Sequence, residues 1–114
     1  MACSTLGTLG AKPPRKAWLI DHWIPVGADC ESDAGIIFRA DDSWLAYESA
    51  GKWSLEGQTL VTLTTHRWES GDGIEQMLTN PERHVERIEI IGPDAYRSYR
   101  EAGEIIEMRR CPKL

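Results

Sequence analysis

The sequence predicts an all-β fold, a single antiparallel up-and-down meander of about eight strands that closes into a small barrel. Short apolar or alternating runs recur along residues 17–111, each bounded by Gly, Pro or Asp-rich turn signals. The connections are too short for the crossovers that parallel strands require, so neighbouring strands run antiparallel. A twisted meander of this size curls and pairs its own edges, which hides backbone groups that would otherwise recruit other chains.

The first run, 17–24, holds Trp18 and Trp23 and reads as a strand that stops at Pro25, a residue with no N–H for a ladder. Residues 26–34 read as loop. Runs 35–39 and 44–49 are rich in β-formers and flank Asp41, Asp42 and Ser43, residues that favour a tight turn. Residues 52–55 follow Gly51, and Glu56-Gly57 turns the chain into 58–68, the longest run. Alternation there sets Leu60, Thr62, Thr64, His66 and Trp68 on one face and Val61, Leu63, Thr65 and Arg67 on the other. Residues 70–83 carry Gly71, Gly73, Asn80 and Pro81 and read as one long irregular loop, with a single helical turn over 74–78. Loops of this length are uncommon in compact domains and often carry function. Residues 84–91 alternate again, with Glu86, Ile88 and Ile90 opposed to Arg87, Glu89 and Ile91. Gly92-Pro93-Asp94 then turns the chain into 95–100, and Glu101-Ala102-Gly103 into 104–111.

The chain has 114 residues, 41% of them hydrophobic, enough for one domain and one core. Residues 1–16 lack apolar periodicity and hold Gly7, Gly10, Pro13 and Pro14, so they read as a flexible tether, with 17–114 as the barrel domain. A net charge of −5 excludes a general nucleic-acid or anionic-membrane binder, because such partners are held by neutralising their negative charge. No apolar run approaches the roughly 20 residues of a membrane-spanning helix, and no basic then apolar leader opens the chain. Membrane contact is expected only through a lipid anchor. Met1-Ala2-Cys3-Ser4 is similar to the junction of a bacterial lipoprotein, where a small residue precedes the cysteine that receives the lipid. The alternative is a tail with a chance cysteine.

Of the three cysteines, Cys30 and Cys111 fall inside the expected domain and Cys3 is the odd one. A Cys30–Cys111 bond closes a long loop, worth about 4–5 kcal/mol in the chain-entropy treatment, and needs an oxidising compartment. The alternative is two separate buried thiols in a cytosolic protein.

The early tryptophans Trp18 and Trp23, the Cys30 loop, Gly35-Ile36-Ile37-Phe38 with its Asp-rich turn, and Gly51-Lys52-Trp53-Ser54-Leu55-Glu56-Gly57-Gln58-Thr59-Leu60 form a pattern. This pattern resembles small lipocalin-like, or calycin-like, bacterial cell-envelope proteins, which often follow a Gly-x-Trp strand with an acidic-Gly turn and a Thr-Leu strand. The resemblance implies a lipocalin-like barrel, a periplasmic or outer-membrane-anchored location and a binding role. A strand as short as 35–39 leaves two readings of the interior, a ligand cup or a barrel filled by its own side chains.

Five tryptophans in so short a chain either fill the barrel or line an aromatic site, and Trp44 and Trp68 are the two expected outside the core. His22, His66 and His84 lack zinc-motif spacing, although a strand pair could join His66 and His84 beside Glu69 or Glu82. No nucleophile elbow is present, and Ser32 and Ser43 beside aspartates read as turn residues. Glu31 with Asp33 and Asp41 with Asp42 lack the spaced oxygen ligands of a calcium loop. Arg83, Arg87, Arg97, Arg100, Arg109 and Arg110 interleave with glutamates, which reads as cross-strand ion pairing on a solvated face rather than an anion site. The expected function is a non-enzymatic envelope binding protein for a small apolar or amphipathic ligand, needing no cofactor and no metal. Trp44, Tyr47, Trp68, Met77 and Leu78 are the expected contacts. The alternative is a protein-protein interaction module or enzyme inhibitor that presents the 70–83 loop; the oligomeric state is left open.

Overall fold

A computed structural model of the protein describes residues 14–68 and 76–112. After a single helical turn, α1 (Lys16–Leu19), the strands follow in order: β1 (His22–Pro25), β2 (Ile36–Phe38), β3 (Ser43–Ala46), β4 (Ser49–Glu56), β5 (Thr59–Arg67), β6 (Gln76–Gly92), β7 (Ala95–Arg100) and β8 (Ile105–Arg110). Each pairs antiparallel with the next, and β1 pairs with β8 to close an eight-stranded barrel. The all-β meander expected from the sequence is therefore the fold of the chain.

Turn chemistry explains why the chain reverses where it does. Between β2 and β3, the Ser43 N–H donates to the Asp41 carboxylate at 3.0 Å, and Asp42 takes the left-handed conformation at φ 70°. Aspartate tolerates that region better than most residues, so no glycine is needed. Between β4 and β5 the same backbone region is supplied by Gly57 at φ 61°.

One end of the barrel is plugged. The expected strand over 17–24 is corrected here, since Lys16–Leu19 is helical and the strand begins at His22. Periodicity cannot separate a short buried helix from a strand, and Trp18, Leu19 and Trp23 suit either. As a helical turn the segment puts Leu19, 0% exposed, into the core cluster, and the Leu19 carbonyl accepts the Trp23 indole N–H at 2.9 Å. Trp18 packs against Trp23 with ring centroids 4.9 Å apart and planes tilted by 49°, and donates to the Pro93 carbonyl at 3.2 Å. Lys16 bonds Asp42 in the β2–β3 turn and lies over the Trp53 ring. Full burial of a residue such as Leu19 stabilises the fold by about 1.5–3 kcal/mol.

The core cluster contains Trp23, Phe38, Trp44, Trp53, Leu60, Ile88, Tyr96 and Met108. Trp44, expected as an exception, is 6% exposed and belongs to this core: strand alternation turns it inward with Phe38. Cys30 and Cys111 form a disulfide that ties the β1–β2 loop to the end of β8.

The expected loop over 70–83 is corrected over its second part. Residues 76–83 belong to β6, with Met77 opposite His66 and Glu82 opposite Thr64, so the expected helical turn is absent over 76–78. The long β5 offers ladder groups beyond the barrel rim, and this pairing overrides the turn composition of Asn80 and Pro81. The composition survives as an irregularity, because four residues, 78–81, face only Thr65 across the ladder.

Candidate functional site: a cavity at the unplugged end

The end opposite α1 opens into a cavity of about 440 Å³ inside the barrel. Its depth is apolar. Phe38, Trp44, Leu60 and Met108, all buried, lie along this wall, and Thr62 and Thr64 extend along β5 toward the rim. Strand parity accounts for this composition, since Leu60, Thr62 and Thr64 alternate onto the inward face as the sequence alternation predicts. Trp44 is held by its indole N–H, which donates to the Leu63 carbonyl at 3.1 Å. That carbonyl also marks a close approach of strands at Gly51, where an added Cβ would lie 1.7 Å from it.

The rim is charged. His84, Glu86, Arg100, Glu101 and Glu104 line the cavity there, brought together by the register Glu86↔Arg100 and by the β7–β8 turn. Glu86 has a side chain only 15% exposed; it accepts a 2.8 Å hydrogen bond from the Ser98 hydroxyl and lies 3.9 Å from Arg100. Arg100 also stands 3.5 Å from Glu104, and Glu101 accepts the Val85 N–H at 3.1 Å. Burial, reinforced by the negative charge of Glu86, pushes the Tyr96 phenol far above its ordinary 10.0, so Tyr96 stays protonated.

Of the five residues expected from the sequence to contact a ligand, the cavity takes Trp44. Tyr47, 49% exposed, lines a separate depression of about 270 Å³ with His22, Ile37 and Leu45. Trp68 is half-buried at the end of β5, where its backbone N–H donates to the Glu48 carbonyl at 3.2 Å. Met77, 74% exposed, and the half-buried Leu78 sit on the part of β6 that runs past the rim. Cys3 and residues 70–75 lie outside the described residues. Among the described residues no three His, Cys, Asp or Glu side chains gather as a metal site. His66 faces Met77 and His84 faces Thr62, so the two histidines are not ladder partners.

The charge pattern places Glu86 and Arg100 on a solvated face, whereas both line the cavity rim. The alternation carries the signal: Glu86 shares its strand face with the apolar Ile88, which is 0% exposed, and so points inward. Arg97 follows the ion-pair expectation, bonding Glu107 at 2.9 Å and lying 3.5 Å from Glu89, whereas Arg87 lies over the Tyr99 ring and Arg109 donates to the Ala28 carbonyl.

Fold and cavity together define the class: a small closed antiparallel barrel, plugged at one end, hollow at the other and pinned by a disulfide, an architecture compatible with a lipocalin-like fold. No protein-family model matches the chain, and comparisons with curated proteins and with solved structures found no significant match.

Proposed function

We propose that the protein is a non-enzymatic binding protein of the bacterial cell envelope, of the lipocalin-like kind, holding a small apolar or amphipathic molecule in its barrel. The single observation that carries this reading is the cavity of about 440 Å³ with an aromatic and aliphatic floor and a polar rim. Its volume falls among those of small-molecule sites, which are typically apolar with a few placed polar groups. The envelope setting is supported by the Cys30–Cys111 disulfide, since such bonds persist mainly in oxidising compartments. A lipid on Cys3 belongs to the same proposal.

The test is a titration with N-phenylnaphthylamine, whose fluorescence rises in apolar surroundings. One equivalent should bind, and Thr64→Phe, which fills the cavity from β5, should abolish binding with an unchanged circular dichroism spectrum. Equal binding to the filled variant would place the dye elsewhere and overturn the reading. Intact mass of protein exported with a signal peptide, with and without reductant, tests the compartment and the Cys3 lipid.

A second reading, a protein-protein interaction module, is favoured by Met77, exposed on the projecting part of β6. Met77→Asp should weaken capture of a partner while leaving dye binding intact.

A further inference from the structure

The rim is not electrically neutral. Among the described residues, three carboxylates, Glu86, Glu101 and Glu104, line it against the guanidinium of Arg100, and they outnumber these cations even with His84 protonated. Glu86 is the most withdrawn of them from water. Its Oε1 accepts from Ser98, while its Oε2 has Arg100 only at 3.9 Å, beyond hydrogen-bond range. A carboxylate so desolvated gains from any further cation placed beside it. Arg100 is loosely held, at 3.9 Å from Glu86 and 3.5 Å from Glu104, but its surroundings oppose an incoming anion, which would meet three like charges. The wall below the rim, with Phe38, Trp44, Leu60 and Met108, is apolar and suits the uncharged chain of an amphiphile.

We propose that the cavity selects amphipathic ligands with a positively charged head of the ammonium class, the head seated at the rim by Glu86 and Glu104 and the chain lying against Phe38, Trp44, Leu60 and Met108. This inference rests on the reading of the cavity as a binding site. Anionic amphiphiles such as fatty carboxylates are disfavoured at the same rim, and neutral ones are intermediate.

The experiment compares n-decylammonium, n-decanol and decanoate at neutral pH and low salt, by calorimetry and by tryptophan fluorescence. Decylammonium should bind with a stoichiometry of one and about tenfold or more tighter than decanoate, a difference of about 1.4 kcal/mol. Decanol should fall between them. Glu86→Gln should remove most of the preference while leaving decanol affinity unchanged, which also reports that the variant is folded. Should Glu86→Gln fail to fold, Glu104→Gln, on a side chain 60% exposed, should still reduce the preference. Decanoate binding as tightly as decylammonium, or a preference insensitive to these variants, overturns the charge selection while decanol binding upholds the cavity. Failure of all three probes to saturate the protein overturns both.

Discussion

At the residue scale the tightest constraint is Gly51. A Cβ there would sit 1.7 Å from the Leu63 carbonyl oxygen and 2.9 Å from the Trp44 indole nitrogen, and neither backbone nor a bonded core ring can step aside cheaply. The site coincides with the register shift between Ala50 and Gly51, so the glycine allows β4 and β5 to touch where the wall bends. Gly51→Ala is expected to destabilise the fold by about 3 kcal/mol, in the upper range for overpacking. Urea unfolding measures it, and a loss below a third of that figure would show that the bulge absorbs the methyl group. Tyr96 gives a second test at this scale. Its phenol is neutral in the fold and its folded value lies above the ordinary 10.0, so its contribution to stability is complete below that value and is lost as pH rises from there toward the folded value. An alkaline titration followed at the phenolate band should contain a step that coincides with loss of near-ultraviolet circular dichroism, and Tyr96→Phe should delete that step.

At the scale of elements, strands were legible where alternation and turn residues agreed. β7 and its turn from β6 lie where Gly92-Pro93-Asp94 and the run 95–100 put them. α1 was not legible, because a four-residue helix carries no periodic signal and its apolar residues would suit a strand equally well. The first part of β6 was hidden for another reason: its residues are mostly exposed, so its strand character comes from β5 across the ladder and not from its own pattern. The cavity floor could be inferred from the parity of β5, whereas the charged rim depended on the Glu86↔Arg100 register, which no local pattern sets. The two elements also differ in how firmly they are held. β7 pairing ends at Glu86, so among the described residues 76–84 have strand pairing with β5 alone, and Pro81, Glu82 and Arg83 make their other edge a poor template for another chain. The amides of 77–80 and 82–84 should therefore exchange with solvent faster than those of Glu86 and Arg87, which pair with β5 on one side and β7 on the other; equal protection would mean that another element covers the edge. The plug predicts the opposite behaviour. Leu19→Ala leaves a void against Trp18 and Trp23 and should cost about 2–5 kcal/mol in urea unfolding.

At the scale of the whole molecule, closure is the step that carries the largest chain-entropy cost. The seam between β1 and β8 consists of the register Trp23↔Arg110, Ile24↔Arg109 and Pro25↔Met108, far shorter than the ladder between β5 and β6. Its strands are also the most distant in sequence, so their pairing carries the largest loop-closure entropy in the barrel. A domain this small with a cavity in its interior has little surplus burial to offset that entropy. Two devices act at the seam. Arg110, bonded to Asp21 at 2.9 Å and to Asp94 at 3.0 Å, covers the Trp23 ring, with its guanidinium carbon 4.4 Å from the ring centroid. The Cys30–Cys111 bond, spanning 81 positions, holds the end of β8 to the loop that follows β1 and so removes much of the freedom the open chain would otherwise have. Replacing both cysteines by alanine should therefore lower the free energy of unfolding by about 2–5 kcal/mol. The loss should show its origin in space: amide exchange at Trp23, Ile24 and residues 108–110 should quicken first, while the centre of β4, β5 and β6 stays protected until global unfolding. If the variant keeps its unfolding midpoint, or if exchange quickens uniformly along the chain, the seam is held by its strand pairing and the aromatic plug alone, and the disulfide serves some end other than closing the barrel.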